Sequence, residues 1–425
     1  MKRTFNQIVS GITVNSLRFA LALVFVFSGF VKAVDPMGTV YKMADYAEAF
    51  GIGVHPAWLL LGAGVLIVAE YLMGVALFFG MYRRFYLWAM TLFLLVMTPL
   101  TLFLALTNPI SDCGCFGDAV ALTNWQTFGK NVVLLIVAVV VLVYNRRMLR
   151  VISERSQWLV FVYALASIVV FMHYNIRHLP VIDFRPYSIG TNIVEAMSVP
   201  EDAPQDEYET FFVMEKDGKQ RIFSFDEYPD STWNFVSREN RLVKRGYVPP
   251  IKDFYLSNLD EEDVTYEVLE QPGYTFLMVA HDLEHANEGV LDVVNDLCDY
   301  AKFNGYAFYM LTSSNSQVID RWVEHTGATY PFLQADDILL KTMVRANPGL
   351  IVLKDATIVG KWSTADMPRD GELTVPIERN AALEITSHEV NTRYVVMALW
   401  MFFPLLLLVL IDKNLRYNKK NSIIN

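Results

Sequence analysis

The chain has 425 residues, 45 acidic against 35 basic side chains, 53% hydrophobic residues, 19% charged residues and three cysteines. That balance excludes a disordered chain, a disulfide-dense secreted scaffold and an ordinary cytosolic globule. A net charge of −10 also argues against binding nucleic-acid backbone, which needs clustered Lys and Arg.

The average conceals a split. Residues 176–392 hold 37 acids and 18 bases, and the remainder 8 acids and 17 bases. One acidic soluble block is therefore set in a basic, very apolar frame. The length fits two or three units at ~150 residues each.

A membrane span needs ~20 apolar residues. Six segments qualify: 14–34, 57–80, 85–107, 129–145, 157–176 and 393–411. Lys2 and Arg3 precede the first, and Arg83 and Arg84 separate the second from the third. Arg146, Arg147, Arg150 and Arg155 fill the fourth-to-fifth connection, and Lys413, Arg416, Lys419 and Lys420 follow the sixth. Alternate threading puts all four groups on one side, which the positive-inside rule makes cytoplasmic. The expectation is a multi-pass protein of a bacterial inner membrane with both termini cytoplasmic. The loops at 35–56 and 108–128 and the block 177–392 then face the periplasm. Val31-Lys32-Ala33 is a passable cleavage pattern; the long basic n-region and the charge pattern favour a retained anchor.

Within the spans, Glu70 is a carboxylate at membrane depth, which by default marks a polar site or a buried pair. A structural contact with Arg18 is expected; a protonated Glu70 on a proton or quinone path is the rival. Gly62, Gly64 and Gly74 are expected to permit close helix packing. His173 and His178, near the outer end of span five, are candidates for thiol activation if they approach Cys113.

The sharpest local feature is Asp112-Cys113-Gly114-Cys115-Phe116-Gly117-Asp118, between the third and fourth spans. Cysteines facing an oxidising compartment tend to pair, and Gly permits the dihedrals a tight C-x-C ring requires. Such a ring departs from relaxed geometry and is easily reduced, and closing three residues stabilises little. Against a redox role, Asp112 and Asp118 disfavour the thiolate, and no Lys, Arg or His lies nearby in sequence. A structural turn at the lipid interface is a second reading of the pair. Metal is a third, though two thiolates do not complete a zinc site.

Residues 177–200 form an irregular lead-in, and Lys216-Asp217-Gly218-Lys219 joins Thr210–Met214 to Arg221–Phe225 as a hairpin. From 249, strands (274–280, 306–312, 330–333, 349–354, 357–362) alternate with helices (287–302, 317–325, 336–344), which implies βαβ units ending in a hairpin. With Pro250–Leu256 as an opening segment and Asn347-Pro348 before the final hairpin, this layout resembles the thioredoxin-like fold in its peroxiredoxin or TlpA-like variety. The resemblance implies a cis bond at Asn347-Pro348. Where a redox-active member would carry its cysteines, this chain has His281-Asp282-Leu283-Glu284-His285-Ala286-Asn287. His281 and His285 read as solvated loop residues rather than metal ligands, and Cys298, inside the following helix, as a packed apolar group.

The first four spans resemble the DoxX and MauE-like family of four-helix bacterial membrane proteins. The resemblance rests on Arg18, Ser28-Gly29-Phe30-Val31-Lys32, Asp35-Pro36, Glu70, Gly74, Gly80, Arg83 and the segment Asp112–Asp118. The whole chain looks like the long form typical of Bacteroidetes. The fold class expected is thus a multi-pass α-helical bundle, with a four-helix core plus two further spans, joined to an α/β thioredoxin-like domain. The divisions expected are 1–176 (membrane), 177–248 (linker and hairpin), 249–392 (degenerate thioredoxin-like) and 393–425 (terminal span and basic tail).

The resemblance implies extracytoplasmic thiol redox chemistry or protein maturation. MauE is linked to maturation of a disulfide-rich methylamine dehydrogenase, and some DoxX relatives to sulfur oxidation with quinone. Cys113 and Cys115 are then the candidate catalytic residues of a thiol–disulfide oxidoreductase. Its partners would be membrane lipids and an extracytoplasmic client or redox partner, with quinone as a candidate cofactor. A non-enzymatic assembly factor acting through the thioredoxin-like domain is the alternative. A channel, suggested by Glu70 and by Pro99 in span three, is the weakest, since no inverted repeat is visible.

Overall fold

The computed structural model describes residues 2–424 apart from 111–112, 217, 226, 228, 231 and 380–386, so Asp112 and Asp217 lie outside the described residues. Among the described residues six helices are long and apolar enough to cross a membrane. They are α1 (Lys2–Val34), α3 (Pro56–Phe79), α4 (Arg83–Thr107), α5 (Asn124–Val143), α6 (Gln157–Arg177) and the C-terminal helix.

The stretch 35–56, expected as a loop, contains the helix α2 (Pro36–Ala49). Asp35 caps it, accepting the Gly38 backbone N–H at 3.0 Å, and Pro36 fills its first turn. That is the usual N-terminal signature, with an acid at the cap and Pro where no N–H is needed.

α1 and α3 run antiparallel and touch through backbone. A Cβ on Gly74 would lie 2.6 Å from the Val26 nitrogen, and one on Gly29 would lie 2.6 Å from that of Tyr71. Small residues let the two helices approach this closely. Gly62 and Gly64, expected to act likewise, meet only the ends of the flexible side chains Met43 and Met172. This register brings Lys32 level with Glu70. Arg18 lies fourteen residues away along α1, about 21 Å at 1.5 Å per residue.

The expected Arg18–Glu70 contact is therefore not made. Arg18 instead donates to the carbonyls of Leu149 (2.5 Å) and Phe78 (3.3 Å) at the other end of the bundle.

After α6 the lead-in contains α7 (Ile193–Met197) and adds to the edge of a sheet, with Gly190 donating to the Ile358 carbonyl at 2.7 Å. A three-stranded antiparallel sheet follows, in the order β2-β1-β3, from β1 (Glu207–Lys216), β2 (Lys219–Ser224) and β3 (Asn234–Lys244). The β1–β2 hairpin closes at Lys216 opposite Lys219, as its turn residues require. β3 had no strand signature in the sequence because every one of its residues is exposed. No one-sided burial imposes alternation on it.

The α/β domain continues with α8 (Thr265–Leu269), β4 (Tyr274–Val279), α9 (Leu291–Asn304), β5 (Ala307–Thr312), α10 (Ser316–Thr326) and β6 (Phe332–Gln334). α11 (Asp337–Met343), β7 (Gly349–Lys354) and β8 (Thr357–Trp362) complete it. The sheet order is β6-β5-β4-β7-β8. β4, β5 and β6 are parallel, and β7 and β8 antiparallel. This is the thioredoxin-like arrangement of parallel βαβ units followed by a hairpin, with a cis peptide at Asn347-Pro348.

β4 is buried on both faces. Phe276 and Met278 join the layer holding α9, and Leu277 and Val279 join the layer holding α11. Cys298 is buried in the first of these layers, as a packed apolar residue. The chain ends in α12 (Ser387–Ile424). It packs on α6 through Met401 and Leu405, and its Asp412 accepts from the Ser153 backbone at 3.0 Å.

Candidate functional site

The segment joining α4 to α5 folds back onto the bundle. Asn124, buried at the start of α5, holds it by donating to the Ile110 carbonyl at 2.9 Å. Gly114 and Gly117 take positive φ angles of 65° and 52°, conformations open to Gly without strain. They set Cys113 and Cys115 on one side of a tight turn. Their sulfurs lie 3.1 Å apart as free thiols. Cys113 is buried and Cys115 half-buried.

Helices α1, α2 and α5 converge directly on this turn, and α3 joins them through Lys32. From α1, Ser28 (2.8 Å) and Lys32 (2.7 Å) both reach the Cys115 carbonyl. Lys32 also donates to Ser28 (2.8 Å) and to Glu70 on α3 (2.7 Å). All three ammonium donors are thus used, and a buried charge needs that degree of satisfaction. From α2, the Tyr46 hydroxyl donates to the Cys113 carbonyl at 3.1 Å. From α5, the Lys130 ammonium lies 4.2 Å from the centre of the Phe116 ring.

The α/β domain closes over the same place. The Arg345 guanidinium grips Asp35 (2.7 and 2.9 Å) and Asp118 (3.2 Å), and lies 5.3 Å from the Tyr41 ring. Asp118, expected to repel a thiolate, is occupied by this contact.

A cleft of about 920 Å³ joins these groups. Its inner wall is apolar, with Phe25, Leu66, Phe93, Leu94, Met97 and Leu134, and its mouth is formed by α2, the cysteine turn and α11. The two thiols are unequal. The hydrogen bond from Cys113 pulls the Cys115 thiol down to about 6; burial opposes this, while Lys130 and Lys32 assist. Cys113 is pushed up, first by giving that hydrogen bond and then by burial. The thiolate, not the thiol, is the nucleophile of thiol–disulfide exchange.

The structure brings Cys113, Cys115 and Glu70 together and leaves the sequence-expected histidines elsewhere. His173 is exposed, and His178 pairs with Asp366 at 2.7 Å; neither lines the cleft. His281 and His285 lie in the loop after β4. His281 is more enclosed than a solvated residue, 3.6 Å from Asp337, and its value is lowered chiefly by burial. His285 is exposed and pairs with Asp282 at 2.7 Å.

Sequence reading gave no role in the site to Tyr46, Lys130 or Arg345. Lys130 carried a signal, being an ammonium at the start of an apolar span. Tyr46 and Arg345 carried none.

Comparison with known proteins agrees with the bundle. Residues 10–144 match the family described as methylamine utilisation protein MauE, and residues 208–245 match a domain of unknown function. No curated protein matches the chain. A candidate protein disulfide isomerase from Bacteroides thetaiotaomicron is 13% identical; it covers 34% of this chain and 84% of its own, with a TM-score of 0.22. An uncharacterised conserved protein from Geobacillus kaustophilus is 16% identical, covering 32% of this chain and 74% of its own, with a TM-score of 0.23. The chain is a multi-pass membrane protein in lipid contact, with a MauE-like segment over residues 10–144 and a thioredoxin-like α/β domain.

Proposed function

We propose that the protein is a membrane thiol–disulfide exchanger serving extracytoplasmic protein maturation, built on the long DoxX/MauE-like plan. The observation that carries this reading is the Cys113–Cys115 sulfur contact of 3.1 Å in a cleft that also holds Lys130 and Lys32. In the reductive direction, the Cys115 thiolate attacks a partner disulfide. The partner's S–S bond breaks, a mixed disulfide forms on Cys115, and the released partner thiolate takes a proton. Cys113 then loses its proton and attacks the Cys115 sulfur. The Cys113–Cys115 disulfide forms, the second partner thiol leaves, and two electrons have passed to the partner. The opposite direction retraces these steps.

The basic connections α3–α4 and α5–α6 lie at the end of the bundle away from the α/β domain. That supports an inner-membrane placement with cytoplasmic termini and a periplasmic domain. The apolar inner wall of the cleft suits a quinone ring, with Phe25, Phe93 and Leu134 among the residues that would hold it. A quinone bound there would accept two electrons and two protons from the dithiol.

Acid-quenched thiol trapping in cells tests this reading. Cys113 and Cys115 are expected to shift between reduced and oxidised forms when reductant is added or respiration is blocked. A redox state that stays fixed under all conditions overturns it. The second reading, a non-enzymatic assembly factor, is favoured by the Arg345 clamp that covers the turn and by the absence of cysteine from residues 281–287. It gains if a Cys113→Ser/Cys115→Ser variant complements a deletion fully.

A further inference from the structure

The cations around the cleft are not equivalent. Lys32 is closed on Glu70 at 2.7 Å, Lys341 on Asp337 at 2.5 Å, and Arg345 on Asp35 at 2.7 Å and Asp118 at 3.2 Å. Lys42 lies 3.9 Å from Asp45. Lys130, among the described residues, has no carboxylate within ion-pair distance; Glu48, another acid of the cleft wall, does not pair with it. Its ammonium lies instead over the face of Phe116, the residue next to Cys115. A ring face attracts an ammonium through its quadrupole but carries no net charge to neutralise it. An unpaired lysine in a membrane-spanning helix is costly and marks a functional position. Phe116 is bonded to Cys115, and the Lys130 charge favours the thiolate of that cysteine.

We propose that Lys130 is the counter-charge of the Cys115 thiolate and thereby biases the cysteine pair toward its dithiol form, so that the pair oxidises reduced thiols of its partner. This rests on the exchange reading and gives it a direction. Stabilising the thiolate stabilises the reduced state, and a disulfide whose reduced state is stabilised is a stronger oxidant.

The steps balance. A partner thiolate attacks Cys115 in the Cys113–Cys115 disulfide, and that bond breaks. Cys113 leaves and takes one of the partner's protons. The second partner thiolate attacks its own partly oxidised sulfur in the mixed disulfide, and Cys115 leaves as a thiolate beside Lys130. The other proton goes to water. The partner dithiol has lost two electrons and become a disulfide.

The charged and titratable groups described around Cys115 are largely taken up by partners. On its own turn these are Cys113, its hydrogen-bond donor, and Asp118, held by Arg345. From α1 and α3, Lys32 and Glu70 form a pair with no net charge. From α2, Lys42 lies beside Asp45, and Tyr46 donates to the Cys113 carbonyl. The α/β domain contributes Lys341 paired with Asp337. Arg185, on the cleft wall, pairs with Asp183 at 3.0 Å. Among the described residues, Lys130 is left without a carboxylate partner.

The test uses the full chain in lipid nanodiscs. Iodoacetamide labelling of Cys115 is followed against pH by peptide mass, and the dithiol fraction is followed in glutathione buffers at pH 8. In Lys130→Met the labelling midpoint should rise by about one unit or more. The dithiol-to-disulfide ratio at fixed glutathione should fall about tenfold. Lys130→Arg should restore both, which a purely structural role would not predict of a bulkier side chain. Lys130→Gln gives a second neutral variant should the Met form be lost from membranes.

An unchanged midpoint and an unchanged ratio in the neutral variant overturn the proposal. If the wild-type pair forms no disulfide at any glutathione ratio, the exchange reading itself fails, and the two failures are thus distinguishable.

Discussion

Two turns in this molecule invite a redox reading, and they differ in kind. The turn at Cys113–Asp118 is enclosed by helices from the bundle and by the α/β domain, and it carries two thiols in contact. The loop after β4, His281–Asn287, occupies the place where the thioredoxin-like layout would put its dithiol, yet it carries none. There the charges pair at the surface: Asp282 with His285 (2.7 Å) and Glu284 with Arg321 (2.6 Å). Its pocket, about 430 Å³, has a predominantly polar lining of Asp282, Glu284, Ser313, Asn315 and their neighbours. The first turn sits against an apolar cleft, where an uncompensated charge matters; in the second, the side chains of Asp282, Glu284 and His285 reach water, where their charges are screened. Fold resemblance alone points to the loop after β4, whereas the paired thiols lie on the bundle; a scaffold does not fix where chemistry is placed.

The largest expected effect comes from separating the two regions. Arg345 is 9% exposed at its side chain and Asp35 13%, so Arg345→Ala leaves a nearly buried carboxylate without its main partner. Breaking such a pair costs roughly 3–5 kcal/mol, which corresponds to about a hundredfold or more in the population of an undocked domain. A bulky polymer-linked maleimide should then label Cys115 at least ten times faster than in the wild type. Iodoacetamide, small enough to enter the cleft already, should change little. Equal rates for the bulky reagent in both proteins would show that the clamp does not control access to the turn.

Much of this was legible in the sequence, and what was not has a common cause. The spans and β4 could be read because burial leaves its mark along the chain, as apolar runs or as residues buried on both faces. The Cys-x-Cys segment could be read because its chemistry lies within three residues. The Lys32–Glu70 pair could not, although each member was visible. Their meeting depends on the register in which Gly29 and Gly74 let α1 and α3 approach, and that register placed Arg18 at the far end. The same holds for Arg345 and Asp35, which are 310 positions apart. Asp118 is likewise drawn to Arg345, which it shares with Asp35, a contact between domains that no local pattern foretells. Strand β3 escaped notice for the opposite reason: with both faces wet, nothing constrained its pattern.

A middle-sized effect compares the cysteines directly. Cys115 is lowered to about 6 by the Cys113 hydrogen bond and the nearby cations, so its thiolate persists above that pH and is lost as pH falls through it. Labelling of Cys115 should be nearly flat above pH 7 and drop about tenfold per unit below 6. Cys298, raised by burial within α9, should remain unlabelled at pH 7 in the same sample. If Cys115 labelling keeps rising up to pH 9, the turn does not hold a stabilised thiolate.

The smallest effect belongs to the loop after β4. His281 has its value lowered chiefly by burial and then by Lys341, so it is neutral at pH 7 and supplies no cation to Asp337. Its Nδ1 atom is buried without a hydrogen-bond partner, so replacing the ring forfeits no bond at that atom. His281→Ala should therefore change stability by about 1 kcal/mol or less and leave the Cys113/Cys115 exchange rate unaltered. Denaturation of the purified protein measures the first quantity and glutathione exchange the second. A fall in exchange rate without loss of stability would reverse the comparison, because it would tie the thioredoxin-like face to the chemistry of the bundle.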